Sequence, residues 1–387
     1  MKINTYLQSI TPSVTLAISA QAKKMKAEGI PVIGFGAGEP DFDTPDYIKE
    51  AAIHAINDGF TRYTPATGTE ALKQAICDKL QRDNGLSYTP SNIVVSSGAK
   101  HTIFNVIQVL CNEGDEVVIP SPYWLSYPEM VKMARAIPVV IDCGEDTQFK
   151  MTPAMLEAAM TDKTRIVILN SPSNPTGMIY NKEELEALGE VLLKYDVTII
   201  SDEIYEHIIY DKEHVSIASL SPELFAKTVV VNGHSKAYAM TGWRIGYMAG
   251  DTSLVKVMAS YQSHSTANPC SISQRAAVAA LNGDQSFLAR NVQIFQERRD
   301  KMVPMLNDIL GISCILPHGA FYAFPSIKGL GKGSSVEVAE ALLKEAHVAL
   351  VPGAAFGADD YVRLSYALSM EDMLEGLERI AKWAAEK

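Results

Sequence analysis

Two cations stand in the glycine-punctuated stretch VVVNGHSKAYAMTGWRIGYMAG, residues 229–250 of this 387-residue sequence. Lys236 follows a strand-like apolar run, so we expect its amine at a strand end and not on a solvated helix face. A desolvated lysine near a second cation has a lowered pKa, which is the condition for an amine that forms Schiff bases with carbonyl compounds. Arg244 stands in what we interpret as an apolar strand, where a buried guanidinium needs a phosphate or carboxylate partner. Taken singly, a surface lysine and a structural salt bridge are the alternative interpretations.

The motif SSGAKH, residues 96–101, predicts a second anion site. Gly98, Ala99 and Lys100 begin a helix directly after a strand-like run. The first N–H groups of a helix have no partners within that helix, and here they point toward the crevice at the strand end. Phosphate is the natural ligand of such a helix N-terminus.

Four further side chains extend this set. Taken alone, Asp202 could cap a helix, Asn174 in SPSNPTG could close a turn, and Trp124 in SPYW could be a core residue. Tyr205 lies three residues after Asp202, which places a phenol and a carboxylate at the same crevice. Together with the lysine and the two anion sites, these groups are the parts needed to hold pyridoxal 5′-phosphate.

These residues must be positioned by the elements around them. From about residue 90, short β-branched runs alternate with longer amphipathic segments, which predicts an α/β fold with a mostly parallel sheet. In such sheets ligands bind outside the C-terminal ends of the strands, where the candidate residues stand. The runs at 228–233 and 243–250 are too close for a crossover helix, so we predict an antiparallel pair and a mixed sheet. The tail from about residue 290 indicates a smaller α+β unit.

The composition excludes several classes of protein. A net charge of -11, from 45 acidic and 34 basic residues, argues against a nucleic-acid or anionic-membrane partner. The five cysteines include no CxxC pair, which predicts neither a disulfide framework nor a zinc site and fits a reducing compartment. No run approaches the ~20 apolar residues of a membrane span, and the N-terminus has no signal-like apolar region. We therefore expect a cytoplasmic protein.

Three other patterns are set aside. VIGFGAGEP (32–40) superficially suggests a dinucleotide loop, but Glu39 replaces its third glycine and Pro40 stops the required helix, so we predict a tight turn. TIISDE (198–203) resembles the acidic end of an NTPase strand, yet no GxxxxGK[ST] loop accompanies it. The eight histidines show no metal-binding spacing, and we predict no metal.

The chain resembles the class I aminotransferases of pyridoxal-phosphate fold type I, in particular the bacterial aspartate aminotransferase subgroup. The resemblance covers nearly the whole chain through the motifs TPSVT, GEPDF, YTPATG, SPYW, NSPSNPTG, SDEIYEH, NGHSKAYAMTGWRIG and YVRLSYA. One departure is His234, since the family usually has an apolar or small residue two positions before its lysine.

The resemblance implies a catalytic group of Lys236, Asp202 and Tyr205. Lys236 would form the Schiff base with pyridoxal 5′-phosphate and then shuttle a proton, while Asp202 would keep the pyridine nitrogen protonated. Tyr205 and Asn174 would hydrogen-bond the 3′-oxygen, and Trp124 would stack on the ring. Asn174 and Trp124 would also line the substrate site.

By the same resemblance, the cofactor phosphate would be held by Arg244, by the helix N-terminus at Gly98, Ala99 and Lys100, and by Ser235. Tyr63 in YTPATG resembles the family tyrosine that reaches across a dimer interface to the phosphate of the neighbouring chain. A homodimer with shared active sites follows from that resemblance.

Substrate recognition is implied in the same way. Arg363 would grip the α-carboxylate through a bidentate pair, with the backbone of Gly38 closing over it. Ser13, Thr15 and the Lys100 ammonium match positions that bind the distal carboxylate of aspartate and glutamate in this subgroup. The alternative for Ser13 or Thr15 is a plain helix N-cap.

The resemblance thus predicts ping-pong transfer of the amino group of L-aspartate to 2-oxoglutarate. An aromatic, kynurenine or prephenate aminotransferase and a β-eliminating lyase on the same fold are alternatives. A non-catalytic module is disfavoured because the lysine and both arginines are present. We expect a large cofactor-binding domain at 46–285 and a small domain built from 1–45 and 286–387.

Overall fold

The fold is that of a computed structural model, which describes residues 1–4 and 7–386. The helices of this part of the chain are α1 (Val14–Ala27), α2 (Asp46–Asn57), α3 (Glu70–Asn84), α4 (Ala99–Leu110), α5 (Ser126–Met133), α6 (Pro153–Ala159), α7 (Lys182–Leu192), α8 (Pro222–Lys227), α9 (Thr252–Ser265), α10 (Ser271–Asn282), α11 (Ser286–Asn307), α12 (Ser335–Ala341) and α13 (Met370–Ala385). The strands are β1 (Ile33–Gly34), β2 (Ile93–Ser96), β3 (Glu116–Ser121), β4 (Ile137–Asp142), β5 (Thr164–Asn170), β6 (Thr198–Asp202), β7 (Thr228–Gly233), β8 (Gly246–Ala249), β9 (Tyr322–Ala323), β10 (Val348–Ala349), β11 (Val351–Pro352) and β12 (Val362–Ser365).

The central sheet has seven strands in the order β2-β8-β7-β6-β5-β3-β4. Strand β8 runs antiparallel to β2 and β7, and all other neighbours are parallel. The mixed, mostly parallel sheet predicted from the sequence is therefore confirmed. In register, Asn170 at the end of β5 faces Asp202 at the end of β6. Their polar side chains therefore meet at the C-terminal ends of the parallel strands.

Helices cover both faces of this sheet, which explains why its strands are so apolar. All four residues of β2 and all six of β7 are buried. Successive strand residues point to opposite faces. Accordingly, Val94 and Val231 belong to a cluster with α4, while Val95 and Val230 belong to another with α3 and α10.

The two ends of the chain pack together outside the central sheet. Strand β1 pairs in parallel with β10, and β9, β11 and β12 form a small antiparallel sheet. Phe35 from the N-terminal part and Leu377 and Trp383 of α13 share one buried cluster. Ser369 caps α13, accepting a hydrogen bond from the backbone N–H of Asp372 at 3.1 Å. Distant parts of the sequence thus meet beside the C-terminal ends of the parallel strands.

Three local features differ from the sequence predictions. Arg244 lies outside any strand, because Thr241–Trp243 form a short 3-10 turn and Arg244 itself is left-handed with φ 56°. Its side chain is exposed, so the prediction of a buried guanidinium in a strand is wrong. The tight turn predicted within VIGFGAGEP is also wrong, because Phe35 continues the extended run of β1 and its N–H donates to the Ala349 carbonyl at 2.7 Å.

Strand β4 has no counterpart among the sequence predictions. It lies at the edge of the sheet, and of its six residues only Ile141 is buried. Central strands are apolar because both of their faces are buried, and β4 lacks most of that burial. Among residues 1–4 and 7–386, no helix combines the length and apolar character needed to cross a membrane.

Candidate active site

A cavity of about 660 Å³ lies at the C-terminal ends of the parallel strands, between the central sheet and the packed chain ends. Nearly all the residues singled out in the sequence line it: Ser13, Thr15, Gly38, Ala99, Lys100, Trp124, Asn174, Asp202, Tyr205, Ser235, Lys236, Arg244 and Arg363. Gly98 lies just behind the wall, against Arg244. Tyr63 does not line the cavity and is 92% exposed.

Lys236 stands three residues after β7, and its Nζ donates to the carbonyl oxygen of Gly38. Burial, reinforced by the Arg363 charge, lowers the pKa of Lys236 to about 8. Arg244 acts in the same direction but contributes less than Arg363. The lowered pKa agrees with the sequence interpretation, whereas the stronger second cation comes from a residue 127 positions away in the chain. At pH 7 about a tenth of the amine is therefore neutral, far more than for a lysine with its ordinary pKa near 10.4.

Asp202 is a buried carboxylate at the end of β6. Its Oδ2 accepts a hydrogen bond from the hydroxyl of Tyr127 at 2.6 Å, and its Oδ1 accepts from the N–H of Ile204 at 3.3 Å. Burial raises the pKa of Asp202 to about 6, although both hydrogen bonds oppose that shift. No helix begins here, so the helix-cap interpretation of Asp202 does not apply.

Tyr127 is a site residue that the sequence analysis missed. Its ring packs edge-on against Trp124 at 5.2 Å, and its hydroxyl orients Asp202. The sequence does show a tyrosine three residues after Trp124, which could have marked it as a neighbour of the cavity. Only the fold places its hydroxyl against Asp202.

One end of the cavity is built from helix α4 and Arg244. Helix α4 begins at Ala99, as the sequence predicted, with Gly98 at φ 91° before it. Arg244 donates to the carbonyl oxygens of Thr241 at 2.8 Å and Ser97 at 3.0 Å. A Cβ on Gly98 would lie 2.3 Å from Nη2 of Arg244, so the glycine makes room for the guanidinium. A cation and free helix N–H groups converge where a phosphate would fit.

Arg363 lies on β12 and is almost completely buried. It donates to Oδ1 of Asn174 at 2.8 Å and to the carbonyl of Gly36 at 3.2 Å, and it lies 4.3 Å above the Tyr322 ring. No carboxylate of the described residues forms an ion pair with it, and its Nε has no hydrogen-bond partner there. A buried, unpaired guanidinium favours an anionic ligand.

Tyr322 is the second residue that the sequence analysis missed. Its hydroxyl lies 2.9 Å from the hydroxyl of Tyr205, and both rings face the cavity. Tyr322 lies on β9, in the tail predicted to form a smaller α+β unit, and the sequence analysis assigned it no role.

Ser13, Thr15 and Lys100 all line the cavity, the first two at the start of α1 and Lys100 in the first turn of α4. Ser13 is the N-cap of α1 and accepts from the N–H of Leu16 at 3.5 Å, so the helix-cap alternative applies to it. Oγ1 of Thr15 is buried without a partner among the described residues. Lys100 lies 4.9 Å above the Trp124 ring, and burial, with the Arg244 charge, lowers its pKa.

His234, the departure from the family pattern, is fully buried behind Lys236. Its ring packs against Tyr238 at 5.5 Å and Tyr247 at 6.3 Å. Burial lowers the pKa of His234 to about 4, so the imidazole is neutral and acts as a packing group near neutral pH.

One group of potential metal ligands, Glu203, Glu206 and His214, comes together outside the cavity. Each carboxylate already has protein partners: Ser201, Ser216 and His214 for Glu203, and Lys79, Asn84 and Asn232 for Glu206. The buried Lys79 ammonium supplies the positive charge that balances Glu206. The group is therefore a hydrogen-bonded charge network.

Comparisons with known proteins identify the family of this chain. The family model Aminotransferase class I and II matches residues 30–380. The aspartate aminotransferase of Geobacillus stearothermophilus is 52% identical, with 99% of each chain covered. The aspartate/prephenate aminotransferase of Nitrosomonas europaea is 50% identical over 98% of this chain and 99% of its own. The crystal structure of the aspartate aminotransferase from Rhizobium meliloti superposes with a TM-score of 0.96 at 47% identity, covering 99% of both chains. The resemblance predicted from the motifs is confirmed, and the chain belongs to the class I and II aminotransferases, which are pyridoxal 5′-phosphate-dependent enzymes.

Proposed function

We propose that this enzyme transfers the amino group of L-aspartate to 2-oxoglutarate by a ping-pong mechanism. The observation that carries the proposal is a pair of cationic side chains in one cavity, Arg363 and Lys100, neither of which forms an ion pair with a carboxylate of the described residues. A dicarboxylic substrate supplies one carboxylate for each cation. The names of the relatives support the same substrate.

The residues present fit the cofactor. An amine of lowered pKa, a buried carboxylate and an anion-binding helix N-terminus face the same cavity. When bound, pyridoxal 5′-phosphate supplies the electron sink for the negative charge that develops at the substrate Cα. Lys236 would hold the cofactor through its amine, and the same amine would carry the proton between the substrate Cα and the cofactor. Asp202 holds the proton on the pyridine nitrogen, with Tyr127 orienting its carboxylate.

The other cavity residues bind and orient. Tyr205 and Asn174 would hydrogen-bond the 3′-oxygen of the cofactor, and Trp124 would stack on its ring. Arg244, Ser235 and the N-terminus of α4 hold the phosphate. On the substrate side, Asn174 fixes the guanidinium of Arg363 for a bidentate carboxylate contact, and Gly38 closes over that carboxylate.

At the distal carboxylate, Ser13 and Thr15 donate beside the Lys100 ammonium. The support is that all three line the same cavity and that the Thr15 hydroxyl is otherwise unpaired among the described residues.

We further propose a cytoplasmic homodimer in which Tyr63 reaches the cofactor phosphate of the partner subunit. The supporting observation is the almost complete exposure of this large aromatic side chain. The division into a large domain at 46–285 and a small one from 1–45 and 286–387 belongs to the same proposal. It is supported by the cluster that joins Phe35 to α13.

Prephenate is a second candidate amino acceptor, favoured by the name of the Nitrosomonas europaea relative. Aromatic or kynurenine transamination and β-elimination are further alternatives on the same fold. A substrate panel separates them, because a β-lyase releases ammonia and pyruvate while an aminotransferase consumes a 2-oxo acid.

The test is a spectrum of the purified holoenzyme before and after addition of L-aspartate, with Lys236→Ala as the control. We expect the band of the lysine-bound cofactor to convert to the pyridoxamine form with release of oxaloacetate, and the variant to show neither. A shift with aromatic donors alone would contradict the aspartate assignment and leave the aminotransferase mechanism intact.

A further inference from the structure

The segment Tyr63–Thr69, called here the Tyr63 segment, combines an exposed aromatic tip with a firmly bound backbone. Tyr63 is 92% exposed, yet the residues that follow it contact two glutamines, Gln262 and Gln274, both of which are completely buried. We propose that Gln262 and Gln274 are positioning residues that hold the Tyr63 segment so that Tyr63 reaches the cofactor of the partner subunit. This inference rests on the dimer in the proposed function.

Gln274 on α10 binds both ends of the segment. Its Oε1 accepts from the N–H of Thr69 at 2.8 Å, and its Nε2 donates to the hydroxyl of Thr64 at 3.0 Å. The same Nε2 donates to the carbonyl of Pro269 at 2.9 Å. The buried amide of Gln274 uses both of its N–H donors and its oxygen in hydrogen bonds. It therefore restricts the Tyr63 segment at both Thr64 and Thr69.

Gln262 on α9 binds the middle of the segment to the central sheet. Its Nε2 donates to the carbonyls of Ala66 at 2.6 Å and Val95 at 2.8 Å. Its Oε1 accepts from Ser96 Oγ at 2.6 Å and Asn105 Nδ2 at 3.1 Å. Both donors and both acceptor lone pairs of the amide are therefore satisfied.

The backbone of the segment supports the same interpretation. The carbonyl of Thr67 accepts from the N–H of Val95 at 2.9 Å, which extends the edge of β2. Gly68 has φ 98°, and a Cβ on it would lie 2.7 Å from Cγ2 of Val95. This close approach lets the segment lie against the strand that leads directly into the N-terminus of α4.

A purely structural role for the glutamines would affect the subunit that carries the substitution. A positioning role for Tyr63 predicts an effect in the other subunit, because Tyr63 would serve the neighbouring cofactor. Mixed dimers distinguish the structural role from the positioning role. One subunit can be inactivated with Lys236→Ala, so that each dimer has a single functional site.

The experiment compares two mixed dimers, isolated through two different affinity tags. In the trans dimer, Lys236→Ala and Gln274→Leu are in the same subunit and the partner is wild type. In the cis dimer, one subunit carries Lys236→Ala and the other Gln274→Leu. The readouts are the release rate of the lysine-bound cofactor, followed by its absorbance band, and the cofactor concentration that restores half of the activity.

We expect cofactor release from the trans dimer to be about tenfold faster than from the reference dimer of Lys236→Ala with wild type, as for one weakened hydrogen bond to a charged group. The cis dimer should lie within about twofold of that reference, because its functional site receives Tyr63 from a subunit with intact Gln274. Equal effects in both dimers would overturn the positioning role. If Gln274→Leu does not fold, Gln274→Glu keeps Oε1 and removes the donors to Thr64 and Pro269, and the same comparison applies.

Two controls make the outcomes distinguishable. Gln293→Leu removes an amide contact to Glu297 on α11, away from the Tyr63 segment, and should leave release unchanged in both arrangements. Tyr63→Phe placed in the inactivated subunit should reproduce the trans effect. If it does not, the shared site of the proposed function fails and the inference with it. If it does while Gln274→Leu has no trans effect, the inference alone is overturned.

Discussion

The reactivity of Lys236 depends on its surroundings more than on its position in the sequence. Its pKa is lowered to about 8, first by burial and then by Arg363. Because only the neutral amine attacks an aldehyde, the cofactor-free protein should bind pyridoxal 5′-phosphate covalently faster as the pH rises through 8, and the rate should then level off. An unperturbed lysine would keep accelerating toward its ordinary pKa near 10.4.

Stopped-flow absorbance of the cofactor-free protein mixed with pyridoxal 5′-phosphate measures this dependence. Arg363→Gln is the matched variant, because removing that charge should move the midpoint to higher pH. The comparison cancels the titration of the cofactor itself, which is common to both proteins. Coincident pH profiles for the two proteins would show that Arg363 does not set the pKa of Lys236.

At the scale of elements, the N-terminus of α4 and the turn before β8 meet at the proposed phosphate site. Gly98 is required at their contact for two reasons, its φ of 91° and the 2.3 Å approach of a Cβ to Arg244. Gly98→Ala should displace the guanidinium and raise the dissociation constant of the cofactor at least about tenfold, as for a lost charge-assisted hydrogen bond.

Gly114→Ala is the control for backbone strain. Gly114 has a similar φ of 88°, but no atom lies within 4 Å of the position of its Cβ. Both substitutions should lower stability through backbone strain of ~1–3 kcal/mol at a positive φ, with the contact to Arg244 adding to the loss for Gly98→Ala, while only Gly98→Ala weakens cofactor binding. Thermal unfolding and a fluorescence titration with cofactor measure the two effects, and equal cofactor affinity in the two variants would contradict the prediction.

At the scale of the whole molecule, the cavity is closed by the chain ends. Helix α1 supplies Ser13 and Thr15 to the wall, yet of its fourteen residues, all described, only Ala22 is buried. Deleting residues 1–28 should therefore preserve the fold and the bound cofactor, because the central sheet and its clusters contain nothing from α1.

Substrate binding should change in a selective way in this deletion. We expect KM for L-aspartate to rise at least about tenfold through loss of contacts to the distal carboxylate, with a smaller rise for L-alanine, which has no such group. Steady-state kinetics with both donors measure the difference, and a spectrum of the bound cofactor checks that the site is intact. An equal rise for both donors would place the contribution of α1 elsewhere than at the distal carboxylate.

By itself the sequence determined the α/β class, the mixed sheet, the start of α4 and the lysine at a strand end. These depend on apolar periodicity and on glycine and proline positions, which are local properties of the chain. The motifs added the family, and with it thirteen of the residues that line the cavity. The sequence interpretation failed where local pattern and packing disagree. The apolar residues around Arg244 suggested that it is buried, but its left-handed backbone conformation leaves it exposed.

Only the tertiary structure decided which side chains meet. Arg363 bonds Asn174 across 189 positions, Tyr205 faces Tyr322 across 117, and Tyr127 reaches Asp202 across 75. Burial and charge at these contacts set the pKa values of Lys236 and Asp202. The physical reason is that desolvation and electrostatic coupling depend on distance in space, and a sequence pattern records only distance along the chain.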